Sequence, residues 1–118
     1  MEIKVRKKDK VNILDIAGKI VIGEELDRLR TIVLDLLEAG EKSFVLNLAE
    51  VPYVDSTGLG EIIRVYISVT KKTGKVKLLN LSSKIHDLLV ISKLITTFEK
   101  DIFTDEEIYR MELEQVFA

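Results

Sequence analysis

"LNLAEVPYVDSTGLGEII", residues 46–63, governs how the rest of the chain is read. Leu46 and Leu48 close the run "SFVLNL" at 43–48, whose almost unbroken apolar character suits a strand buried on both faces. Pro52 favours an extended Val51 and argues against a helix before Asp55. Beyond it the period changes: Leu59, Ile62, Ile63, Tyr66 and Thr70 recur at helical spacing, ending near "KKTGK" with Gly74. A strand therefore becomes a helix across "VDSTGLG" at 54–60, where an acid, two hydroxyls and two glycines stand together.

On the N-terminal side, "EIKVRK" alternates Ile3 and Val5 with charged neighbours, "KDK" at 8–10 supplies a turn, and "VNILDIAG" resumes with Val11, Ile13 and Ile16 before Gly18. From Glu24, Leu26, Leu29, Val33, Leu36 and Leu37 define a helix. Glu24 and Glu25 suit its positive N-terminal end, and Gly40 suits a position just past its C-terminus. On the C-terminal side, "VKLLN" at 76–80 predicts a strand. "SSKIHDLLVISKL" predicts a helix capped by Ser82 or Ser83, with Ile85, Leu88 and Leu89 facing inward. "FEKDIF" at 98–103 predicts a last short strand, and "TDEE" at 104–107 reads as a capping box that starts a terminal helix. The order is ββαβαβα(β)α. It predicts one compact α/β domain over 1–118, with a mixed sheet of four or five strands and about four helices.

Composition narrows the function classes. A net charge of −2 on 118 residues, with Lys and Glu interspersed, argues against direct nucleic-acid binding. No apolar run approaches the ~18 residues of a membrane span, and the N-terminus reads as a strand rather than a signal peptide. The expected location is cytoplasmic. The absence of cysteine excludes thiolate catalysis and Cys-ligated metals, and the single His86 cannot form a two-histidine metal site. No cofactor or metal is expected.

Several chemistries compete for Ser56. A phosphate-binding Walker loop needs GxxxxGK followed by Ser or Thr, and nothing here matches. Gly58 and Gly60 form a GxG, but Ile63 stands where a dinucleotide fingerprint carries its third glycine. A nucleophile elbow reads GxSxG, and the residue two before Ser56 is Val54. A lone histidine inside a helix is more often packed or solvated than a general base, and without a base a serine hydroxyl is a poor nucleophile. The chain reads as no enzyme. Asp55, Ser56 or Thr57 can each cap the following helix. Capping alone leaves unexplained two glycines in the first turn, each costing ~1 kcal/mol against alanine. Bare backbone beside exposed hydroxyls suits the approach of another protein.

The segment 46–63, with its Asp-Ser-Thr-Gly-Leu-Gly core, resembles the signature of the STAS domain, shared by anti-sigma-factor antagonists and the cytoplasmic tails of sulfate transporters. The likeness extends to Gly18, to "GKVKLLNLSSKIHDLLVISKL" at 74–94 and to the element order. The resemblance implies that the serine after the aspartate, Ser56, is phosphorylated by a GHKL-type serine kinase that is also the anti-sigma factor. The unmodified form would bind that kinase and free its sigma factor, and a serine phosphatase would reset the modified form. Gly23, Glu24, Asp55, Thr57, Gly58, Leu59, Gly60 and Glu61 are the implied partner-binding residues. Two positions depart from the commonest antagonist pattern: Val21 where an acid often follows the second strand, and Lys93 where a glycine often ends the third helix. The alternative is a STAS scaffold or regulatory subunit of a signalling assembly or lipid transporter. A small nucleotide-binding domain stands behind both.

Overall fold

The computed structural model describes residues 1–104 and residue 117. Its elements are β1 (Glu2–Lys8), β2 (Val11–Ala17), α1 (Asp27–Glu38), β3 (Ser43–Glu50), α2 (Ser56–Lys71), β4 (Lys75–Leu79), α3 (Ser83–Ile91), the short α4 (Ile95–Phe98), a 3-10 turn (Glu99–Asp101) and β5 (Ile102–Phe103). The five strands lie side by side in chain order. β1 and β2 form an antiparallel hairpin whose turn residues, Asp9 and Lys10, both take positive φ. β2, β3, β4 and β5 run parallel. Parallel strands that neighbour one another in sequence order, joined by crossovers of one hand, place their helices on one face.

That face holds the main core. Leu14, Ile16, Phe44, Leu46, Leu48, Val76 and Leu78 from the strands meet Leu29, Val33 and Leu37 of α1, Leu59, Ile62, Val65 and Val69 of α2, and Ile85 and Leu89 of α3. The opposite face carries a smaller cluster of Val11, Ile13, Val45 and Leu79, with Phe103 and Phe117 against it. β2 and β3 therefore bury apolar side chains on both sides, which is why "SFVL" reads as a continuous rather than an alternating run. α1 ends as expected: Gly40 takes φ +98°, its amide donates to the Leu37 carbonyl, and the Glu41 amide reaches back to Leu36.

Two elements differ from the sequence expectation. The first helix begins at Asp27 rather than Glu24, and Leu26 gives it no side-chain cap. Residues 21–26 are drawn elsewhere: Gly23 takes φ +93°, and Glu24 pairs with the Met1 ammonium at 3.2 Å. The expected strand over 98–103 contracts to Ile102–Phe103. Phe98 is instead buried at the end of α4, its ring edge-on to Tyr66 at 5.0 Å, and Asp101 turns inward to pair with Lys77 at 2.7 Å. The terminal helix expected after "TDEE" lies outside the described residues.

Candidate functional site

The segment from Val51 to Gly60 is built against the loop that follows β2. Ile20 and Val54 form an isolated parallel bridge, the Ile20 amide donates to the Tyr53 carbonyl at 3.1 Å, and the Asp55 amide donates to the Ile20 carbonyl at 3.3 Å. The two loops thus continue the β2–β3 pairing beyond the sheet and meet at the N-terminus of α2.

Asp55 fixes that junction. It sits in extended backbone as the cap of α2, and its Oδ1 accepts the Gly58 amide at 2.7 Å. Its Oδ2 accepts the Ile22 amide of the neighbouring loop at 2.9 Å. The Gly58 amide, and after it that of Ile22, hold the Asp55 carboxyl below the usual carboxylate range, because both bonds favour the charged form. One side chain therefore starts the helix and positions residues 20–24 beside it.

Gly58 is required by this approach. A Cβ there would lie 1.9 Å from the Ile20 carbonyl oxygen, so only a glycine lets α2 close against the loop. Gly60 differs: a Cβ there would meet nothing within 4 Å. Leu59 points into the core. Glu61 is also internal, 4% exposed, between α1 and α2. Its Oε2 accepts from Arg64 at 3.2 Å, and its Oε1 lies 3.3 Å from Arg30 without a well-aligned hydrogen bond.

The sequence-derived set therefore divides in two. Gly58, Leu59 and Glu61 frame the site from inside. Gly23, Glu24, Ser56 and Thr57 are exposed, while Asp55 and Gly60 are half-buried. Ser56 opens α2 directly after its cap, and among the described residues its hydroxyl makes no hydrogen bond. That geometry leaves the oxygen accessible to a reactant.

The structure adds residues that the motif did not reveal. A groove of about 270 Å³ runs from Tyr53 and Ser56 to Lys84, Asp87, Leu88 and Ile91 on α3. Ile91 is 77% exposed, and Ile22, in the loop held by Asp55, is 72% exposed. Both carry a sequence signal in hindsight. Ile91 falls off the inward stripe of Ile85, Leu88 and Leu89, and Ile22 precedes a glycine outside any regular element.

No curated protein matches the chain in sequence. Among solved structures, it resembles a candidate anti-sigma factor antagonist from Thermotoga maritima, at 24% identity and TM-score 0.82, over 98% of this chain and 95% of that one. It also resembles a sulfate transporter family protein from Wolinella succinogenes, at 27% identity and TM-score 0.71, over 81% and 78%. A third likeness is to the Bacillus cell fate determinant SpoIIAA in its phosphorylated form, at 15% identity and TM-score 0.70, over 92% and 97%. No helix among the described residues is long and apolar enough to cross a membrane. The family model of the STAS domain matches residues 2–108, and with the five-stranded sheet and the Asp55-capped loop in place, the chain belongs to the STAS domain family.

Proposed function

We propose that this chain is an anti-sigma-factor antagonist, a protein-interaction switch with no catalysis of its own. Unmodified, it binds an anti-sigma serine kinase of the GHKL type and releases the sigma factor that the kinase holds. Phosphorylation of Ser56 ends that binding, and a serine phosphatase restores it. The observation that carries the reading is the state of Ser56. Ser56 is exposed and its hydroxyl is unbonded among the described residues, whereas the neighbouring carboxylate that could have restrained it is occupied by two backbone amides. Exposed apolar side chains at Tyr53 and Ile91 line the groove beside it, and exposed Ile22 lies in the loop that Asp55 holds, as suits a surface that a partner covers.

The test is phosphate transfer by the cognate kinase, mapped by mass spectrometry. Ser56→Ala is expected to abolish uptake and Thr57→Ala to reduce it at most. Phosphate found on Thr57 in the wild-type protein would overturn the assignment.

A second reading, regulation of a transporter or signalling assembly, draws on the 27% identity to the Wolinella sulfate transporter family protein. A pull-down from the native organism separates the two. Kinase recovered by the wild type and lost with Ser56→Asp supports the antagonist; a membrane protein retained by both supports the second reading.

A further inference from the structure

We propose that Lys84 on α3 receives the phosphate once Ser56 is modified, so that phosphorylation closes the neighbouring groove from within the chain. The inference rests on Ser56 being the acceptor.

A phosphate at a helix start ordinarily uses the free amides of the first turn. Here Asp55 already holds the Gly58 amide, so part of that cradle is taken. Asp55 also sets a negative charge directly before the phosphate. The dianion therefore needs a cation from another element, and Lys84 lines the same groove as Ser56.

The position of Lys84 is otherwise unexplained. It is the second residue of α3, whose N-terminus Ser82 caps through the Ile85 amide at 3.2 Å. A cation in the first helical turn opposes the helix dipole, so it does not serve the helix. Asp87 is three residues on and lines the groove as well, yet Lys84 forms no ion pair among the described residues. Among the described residues that line the groove, the charged ones are Asp55 and Asp87, both repulsive to the phosphate, and Lys84, which attracts it. Pairing across the groove would draw the lysine stem over Leu88 and beside Tyr53, covering apolar surface that the unmodified form leaves open.

The experiment installs phosphoserine at position 56 co-translationally and follows the phosphate by phosphorus NMR against pH. An ion pair with Lys84 favours the dianion and lowers its second pKa, which is ordinarily about 6. We expect that pKa to be about 0.5 lower in the wild type than in Lys84→Gln, the scale of an exposed ion pair. Lys84→Arg should restore the low value. Lys71→Gln, which removes the same charge at the far end of α2, should leave the wild-type value unchanged. Equal values in wild type and Lys84→Gln, or an equal rise with Lys71→Gln, would overturn the proposal. Because the phosphate is placed genetically, a negative result leaves the kinase's choice of Ser56 standing. A phosphate mapped to another residue by the kinase assay would defeat that choice while leaving this titration interpretable.

Discussion

Asp55 joins two loops through one carboxylate, and its ionisation is therefore a folding term. Its pKa is lowered in the folded state, first by the Gly58 amide and then by that of Ile22. A depressed carboxylate stabilises the fold fully above the ordinary value of about 3.9, and the contribution disappears as pH falls through the folded value. Asp55→Asn should accordingly melt lower than wild type at pH 7, with the gap narrowing as pH falls below about 3.9. A gap that stays constant with pH would mean that charge has no part in the capping. The two glycines make a sharper pair. Gly58→Ala drives a methyl to 1.9 Å from the Ile20 carbonyl oxygen and should cost about 2–3 kcal/mol in chemical denaturation. Gly60→Ala enters open space and should gain up to about 1 kcal/mol through helix propensity. If the proposed kinase docks on this helix start, its affinity for Gly60→Ala should fall by about tenfold, or ~1.4 kcal/mol; unchanged affinity would place the docking surface elsewhere.

At the scale of elements, α1 and α2 are joined across the core by Glu61 with Arg30 and Arg64. Both arginines retain solvent access, so the ion pairs are screened. Glu61→Ala should still cost about 1–2 kcal/mol, because it empties a buried side-chain position and leaves both guanidinium groups without their carboxylate. A variant of wild-type stability would show that Arg30 relaxes into solvent without penalty. The sequence exposed what depends on local chemistry: the β3 strand with its two apolar faces, the Gly40 helix stop and the Asp55-centred passage from strand to helix. It concealed what depends on contacts distant in the chain. Glu61 looked like a partner-binding residue, and it is buried instead, because nothing near it in sequence announces Arg30, 31 residues earlier. Glu24 looked like the start of a helix because its pairing with the Met1 ammonium is made only in the fold. "FEKDIF" looked like a strand because burial of Phe98 against Tyr66 and pairing of Asp101 with Lys77 carry no local pattern. The groove beside Ser56 was invisible for the same reason, since one wall is the loop that leads into α2 and the other is α3.

For the whole molecule, the account requires a switch that changes a surface and leaves the architecture alone. A phosphate on Ser56 adds about −1.5 to −2 charges at neutral pH. It would sit outside the core, at a helix end whose dipole favours negative charge, so the circular dichroism spectrum should not change. At a partner interface the same group must be desolvated beside Asp55. A loss of only ~3 kcal/mol there would weaken binding roughly a hundredfold. The direct measurement is titration calorimetry of the cognate anti-sigma kinase with the protein before and after stoichiometric phosphorylation of Ser56. The account predicts tight binding before and a loss of roughly a hundredfold or more after, with both forms giving the same circular dichroism spectrum. Equal affinity of the two forms for the kinase would contradict it.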